Sequence, residues 1–411
     1  MTNYLFTGGR VLDADAGILK DGLDVLVENG RIAAIGASLA RPPGATEIAL
    51  AGRTLMPGLI DCHVHVVAET LDLWGNAIAP DSLAAFRAAR VMKEMLLRGF
   101  TTLRDLGGAD YGLVQAVEQG LIEGPRLVIC GKGLTMTGGH SDQRKRSDDR
   151  EPSLDTRLGS MGYTVDGVDN VRAACRKMIK EGATFVKVMA NGGVSSPNDP
   201  IHSIQFSADE ISAMVEEAEN AGFYVAAHLY TDKAIRRCVG LGVRSLEHCN
   251  LIEPETARRA AEKGCIAVPT LVAYEALALD GKELGLGEAE FAKIEVVRQG
   301  GLRSLAIMRD AGLPMAFGSD LLGSLRKYHC MEFELLAKVL TPAEIIRSAT
   351  IVGARLCQME GQLGVIAPGA FADLLVIDGN PLDDLSLLQG DGAHMPAIMA
   401  RGALVKDQLG R

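Results

Sequence analysis

Leu59-Ile60-Asp61-Cys62-His63-Val64-His65 is an apolar run that carries two imidazoles two residues apart. In an extended strand, side chains at i and i+2 share a face, so His63 and His65 can grip one cation while Cys62 and Val64 point away. A pair of strand histidines is as readily core or surface as ligand, and it gains meaning only from its company. Four more β-like runs provide that company: Phe185-Val186-Lys187, Val225-Ala226-Ala227-His228, Ser245-Leu246-Glu247-His248 and Phe317-Gly318-Ser319-Asp320. Polar groups at the ends of several different strands are how a parallel barrel builds a site.

Outward from this stretch, strand-like and helix-like runs alternate over residues 56–359. Apolar spacing predicts helices over residues 82–98, 112–119 and 169–181. Ser207-Ala-Asp-Glu210 is a capping box opening a helix to about residue 221, Thr341-Pro342-Ala-Glu344 starts another, and a long helical region ends near residue 311. Strands ending at His65, Asp105, Cys130, Lys187, His228, His248, Pro269 and Asp320 make eight β/α units. The fold class expected is therefore α/β, a (β/α)8 TIM barrel. Residues 1–55 read as short strands, with Asn29-Gly30 as a type I′ turn, and Gly369-Ala-Phe-Ala-Asp-Leu-Leu-Val-Ile377 returns to β-like sequence. Residues 1–55 and 360–411 are expected to form one small β-sandwich domain. Trp74 falls in a loop, residues 133–165 read as a long polar loop of functional length, and a Gly/Ser/Pro/Asn loop runs through Asn191-Gly-Gly-Val-Ser-Ser-Pro197.

Composition bounds the function. The 411 residues are 47% hydrophobic and 23% charged with a formal net charge of −10, which suits a soluble globular protein and disfavours a nucleic-acid surface. No basic leader and no apolar run of about 18 residues appears, so a cytoplasmic protein without membrane partners is expected. Eight cysteines without a Cys-x-x-Cys pair read as buried free thiols.

Met56-Pro-Gly-Leu-Ile-Asp-Cys-His63-Val-His65, the strand-borne Lys187, His228, His248 and Asp320, and the tail Gly369-Ala-Phe-Ala-Asp373-Leu closely resemble the amidohydrolase superfamily over essentially the whole chain. Phe185-Val-Lys-Val-Met-Ala-Asn-Gly-Gly-Val194, His228-Leu-Tyr230 and Leu246-Glu-His-Cys249 look like its branch of metal-dependent prolidases and Xaa-Arg or Xaa-Lys dipeptidases, among imidazolonepropionase-like amidohydrolases. The resemblance implies a binuclear centre of divalent ions, usually zinc. His63, His65 and Asp320 would hold one ion, His228 and His248 the other, and an N-carboxylated Lys187 would bridge them. It implies hydrolysis of the peptide bond of short peptides, Xaa-Pro dipeptides first, by a metal-bridging hydroxide, with Asp320 relaying the proton to the departing amine. It also makes a homo-oligomer the expected assembly.

The residues support this chemistry independently. An ammonium at Lys187, among Phe185, Val186, Val188 and Met189, would be costly to desolvate, and carboxylation makes it an anion. Tyr230, two past His228, is expected on the metal-facing side as an oxyanion donor. His140, after Gly138-Gly139, is expected to contact the carbonyl or phosphoryl oxygen. Arg144, Lys145, Arg146 and Arg326 are candidate partners for a substrate carboxylate, while His202, His329 and His394 are read as surface or structural. Rival readings are a hydrolase of another amide, lactone, ester or phosphotriester, and a non-catalytic barrel. A deaminase fits less well, because Thr231 occupies the position three past His228 where such enzymes carry glutamate.

Overall fold

The computed structural model describes residues 2–194, 196 and 199–409; Ser195 and Pro197 of the loop after Asn191 lie outside them. Asn29 and Gly30 both take positive φ, 52° and 78°, as a type I′ turn requires. They join strands Asp24–Glu28 and Arg31–Gly36 in a four-stranded sheet with Tyr4–Thr7 and Thr46–Ala49. A six-stranded sheet interleaves the two ends of the chain, with Leu374–Ile377 antiparallel to Thr54–Pro57. Phe6, Val25 and Ile48 of the first sheet share a buried cluster with Leu55, Leu374 and Met399 of the second. Neither terminus buries its apolar face without the other.

Strand Thr54–Pro57 leads across Gly58 into Leu59–Val64, which pairs in parallel with Phe100–Asp105 and, through it, Arg126–Ile129. A second all-parallel sheet runs in the order Gly162–Thr164, Gly133–Thr135, Val186–Met189, Val225–Thr231, Ser245–Leu251, Ile266–Val268. The amide of Thr184 donates to Ile129 O at 2.9 Å and links the two sheets on one side. On the other, Ala316 donates to Ala267 O at 2.9 Å, and Cys62 N to Phe317 O and Asp320 N to His63 O, both at 2.8 Å. The segment bringing Asp320 is thus stitched to its neighbours without becoming the regular eighth strand expected from sequence. Pro314 has no amide to donate, and Asp320 turns out of the extended region at φ 52°.

Helices form at Asp81–Leu97, Tyr111–Glu118 and Val168–Lys180, within a residue or two of their expected bounds. Both capping boxes are complete, before Ala208–Asn220 and before Pro342–Arg347. Three expectations need correction. Trp74 lies on a short helix, Leu73–Ile78, capped by the Asp72 side chain. The polar stretch 133–165 is not all loop, since Gly133–Thr135 and Gly162–Thr164 pair at its two ends. The helical region before residue 311 is two helices, Leu271–Asp280 and Glu288–Asp310. All eight cysteines are free, and Cys62 is fully buried in an apolar cluster. Among the described residues no helix is long and apolar enough to cross a membrane.

The helix Leu271–Asp280 begins against a buried carboxylate. Leu271 and Val272 donate their amides to Glu332 at 3.1 and 2.6 Å. Burial pushes the Glu332 carboxyl from 4.5 up to about 8, against the two amide donors. The folded chain then holds a proton that the unfolded chain releases above about pH 4.5, so this group's contribution to stability falls as pH rises through that window. Urea unfolding from pH 5 to 8 should show a declining stability component in the parent protein that Glu332→Gln removes.

Candidate metal centre

The parallel strands and the segment reaching Asp320 deliver their polar residues to one cavity of about 70 Å³, lined among others by His63, His65, Lys187, His228, His248 and Asp320. Asp320 Oδ1 lies 3.4 Å from His63 Nε2 and 3.3 Å from His65 Nε2. These three residues can point one ligand atom each into a space where all lie within 4.8 Å of one another. The His63 and His248 rings are 4.9 Å apart and the His228 and His248 rings 4.6 Å. Asp320 is not a helix N-cap, the role an aspartate after Gly-Ser most often has; the next helical turn, Gly323–Tyr328, is preceded by Leu322. Gly318 lets that segment approach, since a Cβ there would stand 2.9 Å from His63 Cβ and 2.3 Å from Val268 Cγ1.

Hydrogen bonds on the far side of each ring set which nitrogen faces the cavity. His63 Nδ1 meets Glu247 Oε2 at 2.9 Å, His65 Nδ1 meets Gly107 O at 2.9 Å, and His248 Nδ1 meets Thr270 Oγ1 at 2.7 Å. A carbonyl or carboxylate can only accept, so His63 and His65 carry their proton on Nδ1 and leave the Nε2 lone pair free. His228 Nε2 is buried with no hydrogen-bond partner at all. An orphaned imidazole nitrogen beside other free lone pairs and a carboxylate is a donor set that fits divalent cations.

Electrostatics agree with that donor set. Burial pulls the His228 and His248 pKa values well below the ordinary 6.5, aided by the neighbouring rings, so both stay neutral. Burial also lowers Lys187, which is 1% exposed, against the pull of Glu247 and Asp320. For Asp320, burial raises the carboxyl, but a second proton on the His63 ring, whose pKa Asp320 and Glu247 raise against burial, outweighs it and holds the carboxyl well below the carboxylate range; a cation would take that proton's place.

Sequence reasoning did not find Glu247. Strand parity sets it opposite His248, yet both point inward, because His248 and Cys249 take φ of 73° and 59° and break the pleat. The wholly buried Glu247 carboxylate touches Arg104 at 3.3 Å on one side and His63 on the other. Burial would raise it, but the Arg104 guanidinium and His63 bring it below the ordinary range. Arg104 is held in turn by Cys62 O, Ser245 and Tyr224 at 2.8, 3.0 and 3.0 Å.

Tyr230 and His140 line the same cavity. Strand Val225–Thr231 runs past Tyr230, which keeps it on the face of His228, with the rings 4.7 Å apart. His140 stacks on His228 at 4.4 Å and its Nδ1 meets Ser196 Oγ at 2.9 Å. Gly193 makes room for it, because a Cβ there would fall 1.8 Å from the imidazole. Tyr274, unremarked in the sequence, also lines the cavity and reaches Tyr230.

The candidate carboxylate partners fare differently. Arg326 is buried and engaged by Glu69 at 3.2 Å and the His65 carbonyl at 3.0 Å, so it braces the first strand's end and is not turned to a substrate. Arg144 forks onto Asp142 at 2.9 and 2.8 Å, and Lys145 and Arg146 are exposed; none of these four lines the cavity. His329 is structural, buried against Phe100 and bonded to Asp61 at 2.9 Å, while His202 and His394 are exposed.

Residues 54–400 match the model of the amidohydrolase family. The chain belongs to that family. Among curated proteins it is 32% identical to ochratoxinase of Aspergillus niger over 355 residues, 82% of this chain and 72% of that protein. Among solved structures it superposes on a prolidase complexed with N-methylphosphonate-L-proline with a TM-score of 0.97 and 48% identity, covering 99% of this chain and 100% of that one. A Xaa-Pro dipeptidase with methionine bound in its active site gives 0.87 and 26%, covering 98% and 100%. These neighbours put the chain on the prolidase-like side of a hydrolase family. Glu247→Gln should weaken divalent-cation binding by about 10- to 100-fold in a chelator competition. It should also lower the unfolding free energy of the metal-free protein by about 3–5 kcal/mol, because Arg104 loses its counter-charge.

Proposed function

We propose that this chain is a binuclear-metal dipeptidase that hydrolyses Xaa-Pro dipeptides. The observation that carries the reading is the convergence of His63, His65, Lys187, His228, His248 and Asp320 on one cavity, in a chain 48% identical to a prolidase that binds a proline phosphonate. The fold is read as a closed (β/α)8 barrel over residues 56–359, with residues 1–55 and 360–411 as a β-sandwich. A cytoplasmic homo-oligomer remains part of the proposal.

His63, His65 and Asp320 would hold one ion and His228 and His248 the other. Zinc is the ion that three or more imidazoles with carboxylates suit best. Lys187 would bridge as its carbamate: burial favours the neutral amine, the form that adds carbon dioxide and then sheds a proton. Two such cations supply water activation and carbonyl polarisation.

The protein's own groups do the rest. Asp320, an ionised carboxylate between His63 and His65, takes a proton from the attacking water and passes it to the amine as the C–N bond breaks. Tyr230 donates its hydroxyl to the oxygen that gains negative charge. His140, held by Ser196 and stacked on His228, lines the cavity beside the same oxygen. Leu71, Leu73, Val194, Ala273 and Leu277 form apolar walls that suit a pyrrolidine ring and keep bulk water out. The 32% identity with ochratoxinase favours, as the second reading, hydrolysis of a different amide.

A library of Xaa-Pro, Xaa-Arg and Xaa-Lys dipeptides assayed with zinc-reconstituted protein tests the reading; turnover of Xaa-Pro members is expected, and no turnover of any member rejects it. Lys187→Ala should lose most activity and regain part of it with a small carboxylic acid such as propionate. Full activity in that variant would contradict the bridging role. Asp320→Asn should lower kcat by about 10²-fold or more while the metal content of the purified protein is largely kept.

A further inference from the structure

Tyr230 and His248 are served by one helical turn. Thr270, immediately before helix Leu271–Asp280, holds His248 Nδ1 through its hydroxyl at 2.7 Å. One turn on, Tyr274 Oη donates to Tyr230 Oη at 3.2 Å. Thr270 is a β-branched residue at φ 50°, a conformation that persists only where its surroundings impose it. The fully buried Glu332, from helix Met331–Ala337, imposes it by taking the amides of both Leu271 and Val272. Neither amide has an intrahelical partner, so the two carboxyl oxygens of Glu332 satisfy two donors and fix how the turn enters the site.

We propose that Glu332, Thr270 and Tyr274 form one positioning device that fixes the Tyr230 hydroxyl relative to the His248 ring. A hydroxyl has one proton. By accepting from Tyr274, the Tyr230 oxygen has its own proton left for the cavity. Through Thr270 the same turn fixes the tilt of His248, so ring and donor move as a unit and not independently. The device rests on the reading of Tyr230 as the donor given above; its residues touch Tyr230 and His248 and need not touch the substrate.

The test uses full-length protein labelled with 3-fluorotyrosine. Of the seven tyrosine resonances, that of Tyr230 is the one lost in Tyr230→Phe. In the metal-free protein, Glu332→Gln and Thr270→Val are expected to shift or broaden that resonance, and Thr270→Ser to restore it. With zinc and an Xaa-Pro substrate, Tyr274→Phe should lower kcat about tenfold or more with KM within about twofold. In a Tyr230→Phe background it should cost nothing further. An unchanged Tyr230 resonance in both Glu332→Gln and Thr270→Val, or fully additive losses in the double variant, would overturn the device. If Tyr230→Phe itself keeps parental kcat, the donor reading falls instead, and the fluorine spectra, which need no turnover, still decide whether the turn positions Tyr230.

Discussion

The site hangs on a carboxylate with almost no water around it. Glu247 lies between Arg104 and His63, each partner as buried as itself. Taking two charges out of water costs several kcal/mol per ion, and only tight pairing and complete hydrogen bonding recover it. Arg104 meets that condition by bonding to the backbone of the His63 strand as well as to Ser245 and Tyr224. The pair therefore ties strands Leu59–Val64, Phe100–Asp105 and Ser245–Leu251, and the residue just before Val225–Thr231, together beneath the cavity, and it does so through the residue that orients His63.

Above that base, the backbone takes conformations, within one strand and after others, that regular β-structure does not supply. His248, Cys249, Thr270 and Asp320 all have positive φ, and three of these four either line the cavity or hold a residue that does. Backbone strain of this kind beside a cavity is what a preorganised site requires, since it turns consecutive side chains toward one point. The surrounding bonds are what make it tolerable: Glu332 at the turn after Thr270, Asp61 accepting from Ser319, and the His63 carbonyl accepting from Asp320.

The wall opposite is made by longer segments. Lys132 is buried and its ammonium donates to the carbonyls of Arg157 at 2.8 Å and Ser160 at 2.5 Å, which folds the far part of the 133–165 stretch back over the third strand. His140 reaches His228 from a segment that has little regular structure of its own, held by its amide on Gln205 Oε1 at 3.1 Å and its Nδ1 on Ser196. A conformation held by a few directed polar bonds leaves only a weak pattern in sequence, and this is why the stretch read as loop although its two ends pair as strands.

Local chemistry was legible in the chain. Asn29-Gly30, the two capping boxes, the helical spacings and the i, i+2 parity of His63 with His65 and of His228 with Tyr230 each depend on neighbours a few residues away, so their outcome could be read from the residues themselves. Tertiary structure decided what depends on residues hundreds of positions apart. It placed Glu247 beneath His63, brought Tyr274 to Tyr230, turned Arg326 inward to Glu69, and left the segment reaching Asp320 short of a regular strand. Each of these is a contest between burial, charge pairing and backbone strain among groups distant in sequence, and no periodicity in a single chain records which of them wins.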